Sequence, residues 1–170
     1  MEQWIAVRSK PRAEKVALDQ LEKKGIQAYL PLVRQKRKWS DRLKWVELPL
    51  FPGYLFAKGA LKNSIFVLET YGVSTVIKFG GEVAVVQESV VKSIRLALEG
   101  GYELEPTEYF IKGDKVEVIE GPMKGMKGIV SNIKGKEKLV IKIDALQQAI
   151  AVYIETKYLK SIGKKSAPII

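Results

Sequence analysis

Between Arg34 and Leu50 the chain sets six cations, Arg34, Lys36, Arg37, Lys38, Arg42 and Lys44, around two indoles, Trp39 and Trp45. Lys and Arg draw phosphates and release counterions on contact, and an aromatic ring gives an unpaired base a surface to stack on. The whole chain shares the bias, with 29 Lys+Arg against 19 Asp+Glu and a net charge of +10 over 170 residues. The chemistry on offer is recognition of a polyanion. A solvated basic face with the indoles packed on a sheet is the other reading of the same residues.

Catalytic chemistry is hard to assemble from this composition. With no Cys and no His, disulfides, the usual zinc and copper ligand sets, Cys–His pairs and Ser-His-Asp triads are all excluded. Asp19, Asp41, Asp114 and Asp144 stand far apart in sequence, so no local acid–base motif forms. A carboxylate- or Lys-based enzyme stays open, since residues distant in sequence can meet in space, but the expectation is a binding protein, not an enzyme, with no cofactor and no metal. The N-terminus lacks a basic and then apolar leader, and no apolar run approaches the ~18 residues of a membrane span. A cytoplasmic location without membrane association is the corresponding expectation.

Two further groups stand out. Tyr54 and Phe56 are two apart and so leave a strand on the same side. Exposed, such a pair would anchor a protein partner; buried, it would be core. Gly121, Gly125 and Gly128 share one loop, where glycine serves positive φ or a close approach of two backbones. No Gly-Lys-Ser/Thr follows, so this is not a phosphate-binding P-loop.

The elements that must position these groups can be read from periodicity. Trp4–Val7 reads as a strand. Pro11 is a helix-start signal, Ala13, Val16, Ala17 and Leu21 follow at helical spacing, and Gly25 stops the helix. Ile26 to Leu30 leads to a second strand, and Arg34 to Leu50 reads as a long hairpin with Ser40-Asp41 at its turn. Tyr54–Ala57 is a buried-strand candidate. Leu61, Ile65 and Leu68 predict a short helix, Val73–Phe79 and Val83–Val86 a hairpin about Gly80-Gly81, and Val90, Ile94, Ala97 and Leu98 a last helix. The first 101 residues therefore predict an α+β domain, an antiparallel sheet flanked by helices. Residues 102–112 have no clear period and read as a linker. From 113 to 162, four or five short β-rich segments predict a small all-β barrel, followed by a tail at 163–170.

The segment Gly113-Asp114-x-Val116-x-Val118…Gly121-Pro122-x-x-Gly125-x-x-Gly128-x-Val130 resembles the KOW module, an SH3-like barrel found in the NusG family of transcription factors and in several ribosomal proteins. The N-terminal half separates these. Leu48-Pro49-Leu50-Phe51-Pro52-Gly53-Tyr54-Leu55-Phe56-Ala57 resembles the signature of the NusG N-terminal (NGN) domain. Trp4-x-x-Val7-x-x-x-Lys10-Pro11-x-x-Glu14 is similar to its first strand and helix, and Tyr71-Gly72-Val73 with Phe79-Gly80 to a later strand and hairpin. The segment Lys38-Trp39-Ser40-Asp41-Arg42-x-Lys44-Trp45-Val46-Glu47 resembles specialised UpxY-like and RfaH-like paralogues, antiterminators of surface-polysaccharide operons.

The resemblance implies a monomeric elongation or antitermination factor. Its N-terminal domain would hold the clamp helices of the RNA polymerase largest subunit and suppress pausing. Tyr54 and Phe56 would centre that contact, with Phe51 and Phe79 as neighbours. Arg37, Lys38, Trp39, Arg42 and Lys44 of the hairpin, with Lys10, Arg12 and Lys15 near the first helix, would meet upstream or non-template DNA. The KOW module would recruit Rho or a small-subunit ribosomal protein. Some relatives refold this module as a helical hairpin; its β-branched content favours the barrel here, although Leu146–Ile154 alone has helical capacity. The alternative function is a ribosome-associated or RNA-binding KOW protein.

Overall fold

The computed structural model describes residues 1–107, 109, 113–133 and 136–163, and side chains at 132–137 are left aside. Most of the tail read at 163–170, and residues 108 and 110–112 of the stretch read as a linker, lie outside the described residues. The chain divides into two compact units, Met1–Gln87 and Glu88–Ile170.

The first unit is built on β1 (Glu2–Ser9), which carries Trp4–Val7 at its centre. Helix α1 spans Glu14–Lys23 and is followed by β2 (Gln27–Tyr29). The helix begins three residues after Pro11, because Arg12 sits in the left-handed region (φ 56°), which interrupts a right-handed helix. The carboxylate of Glu14 accepts the N–H of Gly53 at 2.9 Å, tying the start of α1 to the Phe51-Pro52-Gly53 turn. Among the described residues, strands β3 (Leu32–Lys38) and β4 (Leu43–Pro49) pair only with each other, as a two-stranded ribbon. Strand β5 (Tyr54–Ala60) returns to run antiparallel along β1, from Glu2↔Ala60 to Arg8↔Tyr54.

A 3₁₀ turn at Leu61–Asn63 leads into α2 (Ser64–Leu68), then β6 (Val73–Val76). Strands β7 (Lys78–Phe79) and β8 (Glu82–Val83) make a second small hairpin, and β9 (Val85–Val86) pairs with β1. The main sheet has the order β2-β5-β1-β6 with β9 also on β1. Alternation divides its side chains in two. Ile5, Val7, Leu55 and Ala57 pack with Ala17 and Leu21 of α1 and Val67 of α2, and Trp4, Ala6 and Phe56 take the opposite face. The predicted stripe Leu61, Ile65 and Leu68 does form a helical turn, but all three side chains are exposed and Val67 is the residue α2 buries.

The second unit opens with α3 (Glu88–Glu99), which buries Val91, Ser93, Ile94 and Ala97 and packs against the sheet that follows. The sequence groups this helix with the first 101 residues, whereas the division of the fold falls ahead of it. Six strands follow: β10 (Glu105–Thr107), β11 (Asp114–Val118), β12 (Lys127–Ile133), β13 (Lys136–Ile143), β14 (Gln148–Ile154) and β15 (Leu159–Gly163). Their order is β10-β14-β13-β12-β11-β15, antiparallel throughout. Leu139, Val140 and Ile141 are consecutive and all buried, so β13 is covered on both faces. Gln148–Ile154 is a full strand, not a helix. The expected fold classes, an α+β part with an antiparallel sheet followed by a small all-β module, are both present.

The stretch read as a linker contains β10, which adds an edge strand to the all-β sheet. Its Pro106 suits an edge position, where a missing N–H costs nothing. Glu105 accepts a hydrogen bond from the Tyr153 hydroxyl at 3.0 Å and lies 3.5 Å from the Lys138 ammonium. Tyr109 donates to Asp144 at 2.6 Å and packs on Val140, Ala149 and Ala151. Periodicity cannot reveal a three-residue strand held by such distant partners.

Candidate functional site

The β3–β4 ribbon presents the basic and aromatic residues singled out above. Their register assigns each to a side, because directly opposed residues share a face. Arg34 opposes Glu47, Lys36 opposes Trp45, and Lys38 opposes Leu43. On the other side Gln35 opposes Val46 and Arg37 opposes Lys44, and the backbone bond from Trp39 N–H to Arg42 C=O (2.8 Å) closes the turn. Ring contacts agree with this division. The Lys36 ammonium lies 4.9 Å and the Arg34 guanidinium 5.9 Å from the Trp45 ring, and the Lys44 ammonium lies 5.3 Å from Trp39. Trp39 and Trp45 are 54% and 55% exposed, so neither packs into a core. The five hairpin residues expected to meet nucleic acid are thus not one surface: Arg37, Trp39, Arg42 and Lys44 share a side, and Lys38 faces away with Trp45. Trp45 was present in the sequence pattern, but only pairing register shows which cations it joins.

Lys10, Arg12 and Lys15 form a separate exposed group at the entry to α1. Lys10 donates its backbone N–H to Gly72 C=O at 2.8 Å, and its ammonium lies 5.7 Å from the ring of Tyr71. Tyr71, at 72% exposure, is an aromatic that the sequence pattern did not mark for this group. Gly72 allows the approach: its φ is +88°, and a Cβ there would lie 3.0 Å from the Ala17 backbone nitrogen. Among the described residues no ion pair, hydrogen bond or ring contact joins this group to the ribbon.

The aromatic group expected to grip a protein partner is corrected in one respect. Tyr54 and Phe56 do share a face of β5, opposite Arg8 and Ala6 of β1, but they are not an exposed pair. Phe56 is 0% exposed and Phe51 is also buried. The two rings meet edge-on, with centroids 6.2 Å apart. The cause is position: β5 lies between β1 and β2, and apolar rings on an inner strand are drawn out of water. Tyr54, nearer the strand end, is half-buried, and Phe79 on the β7–β8 hairpin is 51% exposed. A further apolar group, Leu61, Ile65, Phe66 and Leu68 around α2, is exposed although its spacing is that of a buried stripe.

In the all-β module Gly121 and Gly125 hold φ of +86° and +87°, while a Cβ on Gly128 would lie 2.6 Å from the Val140 carbonyl oxygen. The loop between them folds back on itself through Gly125 N–H to Val118 C=O (2.7 Å), and it buries Met123 and Met126. These glycines shape a corner between β11 and β12. Among the described residues no cluster of carboxylates could hold a metal ion, and no helix is long and apolar enough to cross a membrane.

A family model described as transcription termination factor nusG matches residues 2–95, more than half of the chain. The chain belongs to the NusG family. A KOW motif model matches residues 112–142, so the two modules stand in the family's order. A solved structure concerning domain interaction in Thermotoga maritima NusG is 22% identical over 96% of this chain and 98% of that one, with a TM-score of 0.50, a likeness of fold. A crystal structure of the MjSpt4:Spt5 complex matches at 20% identity over 95% and 99% of the two chains, with a TM-score of only 0.27. As a NusG-family chain the protein is a transcription factor that works on the transcription machinery.

Proposed function

We propose that this protein is a non-enzymatic, cytoplasmic transcription elongation and antitermination factor that binds RNA polymerase through its N-terminal unit and suppresses pausing. The family match over residues 2–95 carries this reading. The polymerase contact, on the clamp helices of the largest subunit, uses Tyr54 and Phe79 as its accessible rings, while Phe51 and Phe56 are buried and meet each other edge-on. The ribbon cations and Trp39, with Lys10, Arg12 and Lys15, meet upstream or non-template DNA. Their charge supplies affinity through phosphates, independent of sequence. The KOW module recruits a second partner, Rho or a small-subunit ribosomal protein. The basic hairpin about Trp39-Ser40-Asp41 favours a specialised role on particular operons over a housekeeping one.

A transcription assay on several pause-containing leaders, with and without the protein, tests the reading. Relief of pausing is the expected result, on one leader for a specialised factor and on all for a general one. Capture of polymerase by the wild type, lost in a folded Tyr54→Ala/Phe79→Ala variant, is the expected binding result. Unchanged capture would remove the contact assignment, and co-sedimentation with ribosomal subunits but not polymerase would favour an RNA-binding KOW protein instead.

A further inference from the structure

We infer that the outer edge of β14 is a docking edge for an extended acidic segment of a partner protein, and that β10 with Tyr109 is the chain's own stand-in for that segment. This rests on the reading of the all-β module as one that recruits a partner, and goes further by naming the edge and the chemistry of what binds it. Strand β14 runs from Gln148 to Ile154 and pairs along its whole length with β13. On its other side β10 pairs with Ala149, Ile150 and Ala151 alone. Among the described residues Val152, Tyr153 and Ile154 have no strand partner there. The chain just before β10 is engaged elsewhere: the Tyr102 N–H donates to Ala97 C=O at 3.1 Å, at the end of α3. A separate strand carries no such tether and can pair with all of β14. Pro106, at the centre of β10, has no N–H, so a further strand does not add outside it. A partner strand therefore reaches this edge by taking the place of β10.

Register dictates what the incoming segment must carry. Glu105, Ala151 and Val140 form one row across the three strands, and Tyr153 and Lys138 form the next on the same face. Lys138 is 8% exposed, and among the described residues Glu105, 3.5 Å away, is its ion-pair partner. A buried ammonium left unpaired is costly, so an occupant that displaces Glu105 must bring a carboxylate of its own. The Tyr153 hydroxyl, which donates to Glu105 at 3.0 Å, offers that carboxylate a second bond. Beside this pair, Val140, Ala149 and Ala151 are buried under Tyr109, and the Lys142 ammonium lies 5.1 Å from its ring. Short side chains below and a cation alongside favour an aromatic in that place. The segment that fits is a strand with a carboxylate followed four residues later by an aromatic ring, the spacing of Glu105 and Tyr109. A polynucleotide would bring the charge but no amide groups to pair with β14.

Anisotropy of a labelled peptide with the sequence of residues 102–109, titrated with the full chain, tests this. In the wild type the tethered copy competes at an effective concentration on the order of millimolar, so the peptide should bind weakly. Glu105→Gln/Tyr109→Ala in the chain loosens the tethered copy, and the peptide should then bind about tenfold more tightly or better, the worth of one charge-assisted bond passed to the free strand. Glu105→Gln alone, at an exposed position, serves the same purpose should the double variant unfold. Hydrogen exchange of β14 amides in the loosened chain should slow when peptide is added, and that of β12 should not. A peptide carrying Glu105→Gln should lose the gain. Lys138→Met in the loosened chain, which keeps the aliphatic stem, should make the two peptides equal. A folded, loosened chain that takes up neither peptide, or both equally with Lys138 in place, would overturn the assignment, as would protection away from β14. Pausing relief and polymerase capture by the wild type are read separately, so their survival beside a failed peptide would remove this edge and leave the functional reading standing.

Discussion

Phe56 and Phe79 belong to the same proposed polymerase contact, yet their surroundings demand opposite treatment. Phe56 has no exposed surface and packs against Phe51, so Phe56→Ala should cost about 3–5 kcal/mol of stability, and its effect on polymerase capture would report folding first. Phe79 is half-exposed on a small hairpin, so Phe79→Ala should stay within about 0.5 kcal/mol of the wild type while lowering capture. Denaturant unfolding beside a pull-down separates the two. A large stability loss for Phe79→Ala would show that its ring is structural. The sequence could place Tyr54 and Phe56 on one side of a strand, since a period of two does that. It could not say which ring lay near the strand end and which on the inner stretch. Gly128 makes the same point in the other module. Its spacing marked a corner, but only the 2.6 Å approach to the Val140 carbonyl explains the need, and Gly128→Ala should cost about 1–3 kcal/mol on thermal unfolding.

Strand β10 shows what periodicity misses at the level of elements. Its three residues carry no pattern, and what makes them a strand is the free edge of β14 together with Glu105, which receives Tyr153 and Lys138. Tyr109, two residues past its end, donates its hydroxyl proton to Asp144. Hydrogen bonding to the Asp144 carboxylate, then burial, holds the Tyr109 phenol neutral above the ordinary tyrosine range. The phenol that gains a partner on folding keeps its proton longer in the folded state. Its contribution is therefore complete below the ordinary phenol pKa and is lost as pH rises through the raised value. Hydrogen exchange along β10 should accelerate as pH climbs through that alkaline window, relative to β13 at the same pH. Tyr109→Phe should show faster exchange already at neutral pH and lose most of the dependence; an unchanged pH profile in that variant would show that Tyr109 does not steady β10. The long ribbon, by contrast, was legible, because seventeen residues without Gly, with Ser-Asp at the middle, leave few other ways to fold. Its two faces were not, since they depend on which residue opposes which.

At the scale of the whole molecule, a surplus of ten positive charges says only that polyanions are favoured; its distribution decides what a titration will read. Residues 34–47 carry six cations and two carboxylates, a surplus of four in fourteen residues. If phosphates are met there, the salt dependence of binding belongs to those positions and not to net charge. Each phosphate neutralised on a single strand adds about 0.7 to the slope of log K against log salt. Replacing Arg37, Arg42 and Lys44 together with Gln should thus flatten the slope by about 2. Replacing Lys115, Lys124 and Lys127 of the all-β module removes as much charge from the molecule and should leave the slope as it was. Affinity for a single-stranded oligonucleotide, measured across a series of KCl concentrations for the wild type and both triple variants, reads this directly. Equal flattening in the two variants would mean that the protein attracts nucleic acid as a diffuse positive body, and the ribbon would then have no privileged role.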